Sequence, residues 1–128
     1  MTYEKEYKDW KKNPIKYWEN KSEAIYWDKK WSSVLKQTDQ NTWTWFHDGE
    51  LNTCYNCLDI HIENGNGNKV ALIYDSPVTN QKKNYTYNEL LNKTEKIAGS
   101  LKSHGVEKGD RVLIYMPMIP EAVTSMLA

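Results

Sequence analysis

The sequence predicts an α/β chain in two parts: an aromatic-rich helical arm over residues 1–50, then the opening of a larger α/β domain over 51–128. Three observations carry this. Thr86 is followed three residues later by Glu89, and Leu90, Leu91, Thr94, Ile97, Ala98 and Leu101 then recur at helical spacing up to His104-Gly105. This is a capping box opening an amphipathic helix closed by glycine. Next, Arg111 to Met116 is a short apolar run of the kind found in buried parallel strands, with Pro120 placed to begin another helix. Finally, residues 1–36 hold four of the six tryptophans. The closing Ser125-Met126-Leu127-Ala128 is apolar and carries no helix stop signal, so the expectation is an N-terminal piece of a longer polypeptide.

Taken in order, Thr2 can cap a first helix, on which Tyr3, Tyr7 and Trp10 fall at i, i+4 and i+7. Asn13-Pro14 ends it and opens a second, carrying Ile15, Trp18 and Ala24, with Asn13 as cap and Pro14 at the first helical position. Trp27, Trp31, Val34 and Leu35 also fit helical spacing. Four tryptophans are more than residues 1–36 can cover among themselves, so the arm is expected to pack on another surface, with a local aromatic mini-core as the alternative. Thr42-Trp43-Thr44-Trp45 alternates like a strand, and Asp48-Gly49 reads as a turn. Thr53 then caps a helix from about Cys54 to Asn64, stopped by Gly65. Val70 to Tyr74 is a strand, Asp75-Ser76-Pro77 begins a polar loop, and Asn84-Tyr85-Thr86 returns as a second strand before the capped helix. Glu107-Lys108-Gly109-Asp110 is a polar turn leading into the Arg111–Met116 run.

Composition narrows the function classes. Formal net charge is zero, and of 17 basic residues only Arg111 is arginine. Neither fact suits nucleic acid, whose phosphates and guanines favour a basic, arginine-bearing surface. No run approaches the ~18 apolar residues of a membrane span, and mean hydropathy is −0.83. The start is neither a secretory signal nor an arginine-rich transit peptide. Two cysteines in such a chain imply a reducing, intracellular compartment, and the sequons at Asn20, Asn84 and Asn92 are discounted accordingly.

Several constellations invite a chemical reading. Cys54 and Cys57, with His47 and His61, place two Cys and two His within fifteen residues. A structural zinc site needs four ligands held tetrahedrally, yet both cysteines fall in one helix without a knuckle turn. Redox CxxC pairs follow a firm strand, which is lacking here. The alternative is two small apolar residues on the inner face of the helix. Gly65-Asn66-Gly67 closes a helix and precedes a strand, the reverse of a phosphate-binding glycine loop. Glu4, Glu6, Asp9, Glu19 and Glu23 read as solvated carboxylates, and His104 as a favourable charge at a helix C-terminus. No catalytic, cofactor-binding or metal-binding residue is assigned.

The motifs also resemble a family. Tyr17-Trp18, Trp27 and Trp31-Ser32-Ser33-Val34-Leu35 look like the N-terminal arm of the AMP-forming short-chain acyl-CoA synthetases, the acetyl- and propionyl-CoA synthetase group. Trp45-Phe46, Gly49-Glu50-Leu51-Asn52, Tyr55-Asn56-Cys57-Leu58-Asp59 and His61 resemble its WF…GxLN…NxxDxH segment. Gly109-Asp110-Arg111-Val112 with Tyr115-Met116-Pro117-Met118 and Glu121-Ala122 resembles its GDRV-x-x-YMPM-x-x-EA segment. Leu51-Asn52-Thr53-Cys54 and Tyr74-Asp75-Ser76-Pro77-Val78-Thr79 look most like the branch called short-chain family member 3, usually linked to propionate. Ile60 departs from the arginine that many relatives carry before the histidine.

The resemblance implies the incomplete N-terminal portion of the large domain of an adenylate-forming enzyme. The parent would use ATP and Mg²⁺ to turn propionate or acetate into an acyl-adenylate, then pass the acyl group to coenzyme A. The family's phosphate loop, acyl pocket, hinge acid, catalytic lysine and coenzyme A contacts would all lie beyond Ala128. The matched motifs would then be scaffold, and the chain alone inactive and without cofactors. Its partner would be the remainder of the synthetase chain, with no nucleic acid or membrane, in the mitochondrial matrix or the cytoplasm. A non-catalytic module that pairs with a full-length synthetase is the alternative.

Overall fold

Thr2 has an extended backbone, and Tyr3–Lys12 follow as helix α1. The computed structural model describes residues 2–128. Tyr3, Tyr7 and Trp10 do form one stripe, their ring centroids 6.0 and 5.6 Å apart in turn. The Thr2 side chain makes no cap hydrogen bond. Asn13 ends α1 and caps helix α2 (Pro14–Ser22), its Oδ1 accepting from the Lys16 N–H at 3.0 Å. Pro14 takes the first helical position, where its missing N–H goes unneeded. Ser22 ends the helix, so Ala24 lies outside it.

The helical spacing of Trp27, Trp31, Val34 and Leu35 is overturned. Ser33–Asp39 is strand β1, paired antiparallel with β2 (Thr42–His47), Leu35 opposite Trp45 and Gln37 opposite Trp43. The reason is pairing: the alternating Thr42–Trp45 segment is stable only with a neighbour, and the residues across a short polar turn are nearest to hand. A helix over 27–35 would take Ser33 and Leu35 away from their partners His47 and Trp45 in β2. The arm is therefore a helix pair plus a hairpin, with Val34 buried and Ser22 sealing its Oγ–H onto the Glu19 carbonyl at 2.7 Å.

Contacts divide the chain into two units, one ending at Asn52 and the other starting at Thr53. In the second, a helical run over 53–66 stops where Gly65 turns to φ +77. Its bonding widens into π-type turns at Tyr55–Asp59 and Ile62–Asn66, which periodicity did not foretell. The hairpin has the expected order, β3 (Val70–Ser76) antiparallel to β4 (Gln81–Thr86). Helix α3 (Tyr87–Ser103) opens with the full capping box: Glu89 N–H donates to Thr86 Oγ1, and Thr86 N–H to the Glu89 carboxylate at 2.8 Å. It closes on a Schellman turn, with Gly105 at φ +85, its N–H on the Lys102 carbonyl and the Val106 N–H on the Leu101 carbonyl. Helix α4 (Pro120–Leu127) packs on α3. Among the described residues, Leu58, Leu90, Thr94, Pro120, Ala122 and Thr124 are the buried side chains of this unit.

The Arg111–Met116 run is not a strand, so the expected helix–strand–helix unit is absent. A strand exists only through its neighbour's hydrogen bonds, and the described strands pair solely as β1 with β2 and β3 with β4. Without a ladder, Leu113 and Tyr115 stand 90% and 97% exposed.

Candidate functional site

Phe46, the single phenylalanine, lies among three of the tryptophans of the first unit. Trp27, Trp31 and Trp45 have ring centroids 5.3, 5.7 and 6.1 Å from it, and Trp18 meets Trp45 edge-on at 6.3 Å. These are favoured offsets for aromatic quadrupoles. Trp27 is pinned by its Nε1–H to the Ser22 carbonyl at 3.0 Å. A local aromatic cluster thus forms. Trp10, Trp18, Trp43 and Trp45 nevertheless remain exposed over a large part of their surface. Among the described residues the buried Trp31 Nε1–H has no acceptor.

Behind the cluster, Phe46 and Asp48 adopt positive φ (48° and 56°), whereas Gly49 does not. Asp48 is held there by its carboxylate, which accepts from the Ser32 N–H at 2.8 Å. That backbone bond is the main reason its pKa lies below the usual aspartate value, Lys29 adding a lesser attraction. Gly49 serves space rather than torsion. A Cβ there would lie 2.9 Å from Trp27 Cζ3 and 3.1 Å from both Trp31 Cβ and the Phe46 oxygen.

Glu6 is not merely solvated. The Tyr17 hydroxyl donates to its carboxylate at 2.7 Å, and Lys21 Nζ lies 2.9 Å from the same oxygen. The Tyr17 hydrogen bond, then that of Lys21, lowers the Glu6 pKa, and the same contacts raise those of Tyr17 and Lys21. The trio joins α1 to α2 beside an open cleft of about 570 Å³ that Lys5, Lys12 and Lys16 also line. Nothing in the spacing of Glu6 and Tyr17, eleven residues apart across a proline, announced this pair.

The cysteines do not converge on a metal. Among the described residues no three of His, Cys, Asp and Glu come together to hold one. Nor are both cysteines buried: Cys57 is exposed and Cys54 only partly covered. Burial, with Asp59 nearby, raises the Cys54 thiol above its ordinary pKa, the opposite of an activated nucleophile. His61 lies against Tyr87, the two rings tilted by 38° with centroids 5.0 Å apart. His104 Nδ1 lies 2.8 Å from the Ser100 carbonyl, which can only accept, so this nitrogen carries the proton and caps the end of α3.

In the second unit the prominent surface is apolar. Val112, Leu113, Tyr115, Met116 and Met118 are all exposed, and Ile73 and Met118 flank a groove between β3 and α4. Here the segment that resembled the family's GDRV…YMPM motif lies open.

The acetyl-coenzyme A synthetase N-terminus model matches residues 3–57, and the AMP-binding enzyme model matches residues 61–128. The chain belongs to the AMP-binding enzyme family. Within it, the resemblance is to the acyl-CoA synthetase short-chain family member 3 group. The mitochondrial proteins of that name from Homo sapiens and Bos taurus are 51% and 52% identical over 116 residues, 91% of this chain. An uncharacterized Pseudomonas aeruginosa protein is 41% identical over all 128 residues. The chain spans 17% of the length of the two mammalian relatives and 20% of the bacterial one.

Proposed function

We propose that this chain is the N-terminal part of an acid–CoA ligase. The parent activates a short carboxylic acid, propionate or acetate, with ATP to an acyl-adenylate, and then forms the coenzyme A thioester. The single observation that carries the reading is the consecutive match of the two family models, over 3–57 and 61–128, at about half identity to acyl-CoA synthetases. The name of the mammalian relatives supports the mitochondrial matrix as the parent's compartment, with the cytoplasm as the other choice. Among the described residues no helix is long and apolar enough to cross a membrane.

On this reading the parent's ATP, Mg²⁺ and coenzyme A are held by residues outside this chain. No carboxylate cluster among the described residues suits a cation, and the glycines at 65 and 67 end a helix instead of opening one at a phosphate. Binding of these groups is therefore assigned to the rest of the parent. The 128-residue chain alone is inactive, and its role is to supply the aromatic arm and the first elements of the large domain. The test is a chimera in which these residues replace the matching segment of the human relative, assayed with propionate, acetate, ATP and coenzyme A. The chimera is expected to form acyl-CoA and the isolated chain none. Thioester made by the pure 128-residue protein, or a folded chimera without activity, would overturn the reading.

A further inference from the structure

We propose that Cys54 and Cys57 form a reversible dithiol–disulfide site in the first turns of the helical run over 53–66, oxidised by a low-molecular-weight disulfide. The inference goes beyond the ligase reading and does not depend on it. The structure sets aside a metal for this pair, and it also sets aside the pair as buried apolar filling, because Cys57 is exposed. Two free thiols of unequal access are left, three residues apart on one helical stretch. Residues so spaced are neighbours, with Cβ atoms about 5–6 Å apart. A disulfide needs about 3.5–4.5 Å between its Cβ atoms, so the bond draws the two together by roughly 1–2 Å. The turn can give by that much. Cys54 follows Thr53 at the start of the run, where N–H groups have no intrahelical acceptor, and Tyr55–Asp59 already bond in the wider π-type pattern. Leu58 is buried and anchors the Cys57 side, so the movement falls on Cys54.

Unequal access sets the order of the two steps. The Cys57 thiolate, in water, attacks one sulfur of the small disulfide; that S–S bond breaks, and one small thiolate leaves and takes a proton from solvent. Cys54 then gives its proton to solvent, and its Sγ attacks Cys57 Sγ. The mixed disulfide breaks, and the second small thiol leaves protonated. The cysteines lose two electrons and two protons, and the small disulfide gains both. Cys54 suits the second step. Burial first, then Asp59, Cys57 and Glu95, raise its pKa, so it stays a thiol toward outside reagents. Once ionised it is the stronger nucleophile, and its target is already beside it. Excess small thiol reverses both steps.

The test uses the reduced 128-residue chain, oxidised glutathione as the probe, and intact mass after the remaining thiols are blocked. The expected product is a monomer lighter by about 2 Da with no blockable thiol, returned to the dithiol by reduced glutathione. Cys54→Ser is expected to stop with one glutathione on Cys57. Cys57→Ser is expected to react more slowly than Cys54→Ser by roughly tenfold or more in the folded chain, and within about twofold of it in urea, where burial is gone. Two glutathiones on the unsubstituted chain, disulfide-linked dimers, or thiols that stay free would each overturn the inference. Equal rates for the two variants in the folded chain would overturn the order of attack. The mass of the unsubstituted chain decides the bond itself without any variant.

Discussion

Replacing Gly49 by alanine separates two explanations of one glycine. The sequence places it in an Asp48-Gly49 turn, which suggests a torsional need; the structure puts the positive φ on Asp48 and leaves Gly49 outside that region. Alanine would thus meet no backbone strain, only crowding. Its Cβ would lie 2.9 Å from Trp27 Cζ3 and 3.1 Å from Trp31 Cβ and the Phe46 oxygen, against a relaxed carbon separation of about 3.5–4.0 Å. None of the three can give way freely. Trp27 is fixed by its bond to Ser22 and by Phe46, and the Phe46 oxygen accepts from the Gly49 N–H itself at 3.0 Å. Overpacking of this kind costs about 1–3 kcal/mol, offset by roughly 0.4–1 kcal/mol from the less flexible unfolded chain. A net loss of about 1–2 kcal/mol is expected, read as a lower urea midpoint in tryptophan fluorescence. Trp27→Phe, which shortens the ring that Cβ would strike, should reduce the cost of Gly49→Ala in a double-mutant cycle. Gly65→Ala is the contrast: nothing lies within 4 Å of its Cβ, but φ is +77, so a loss of about 1–2 kcal/mol arises from torsion alone. An unchanged or raised midpoint for Gly49→Ala would refute the crowding argument.

Three further outcomes follow from named contacts. Thr86→Ala removes the cap of α3 and is expected to lower stability by about 1 kcal/mol, measurable as a lower urea midpoint for loss of helical circular dichroism. Thr94→Val keeps the shape of a buried side chain whose hydroxyl has no partner among the described residues, so stability should hold or rise by ~1 kcal/mol; a clear loss would reveal an unrecognised hydrogen bond. Glu6, Asp48 and Glu89 all have pKa values below their ordinary ones, through Tyr17, the Ser32 N–H and the Thr86 N–H respectively. Their contribution is present above the ordinary carboxylate values and is lost as pH falls through the lowered ones, so urea midpoints should drop below about pH 4. The combined variant Glu6→Gln, Asp48→Asn, Glu89→Gln should flatten that fall, and an equally steep one would assign it to other groups.

What the sequence by itself determined is local. The Asn13-Pro14 junction, the Thr86–Glu89 box, the Schellman turn at Gly105, the β3–β4 hairpin and Pro120 at the head of α4 all depend on residues within a few positions of one another. The side chain that caps or the ring that fixes φ acts on its own neighbourhood, so order in the chain suffices. Family membership was legible for a related reason, because motif order and spacing lie along the chain.

Tertiary structure decided the rest. Trp27, Trp31, Val34 and Leu35 fit a helical wheel, yet Ser33–Asp39 became a strand because β2 needed a partner, and periodicity over so few residues cannot weigh that demand. Arg111–Met116 went the other way, strand-like in composition and without a ladder, since a strand's hydrogen bonds belong to its neighbour as much as to itself. Phe46 among three tryptophans, the Glu6–Tyr17–Lys21 trio and the space-filling reason for Gly49 join residues that only the fold brings together. Side-chain reach, not sequence distance, sets those contacts, and reach is fixed only after the chain has folded.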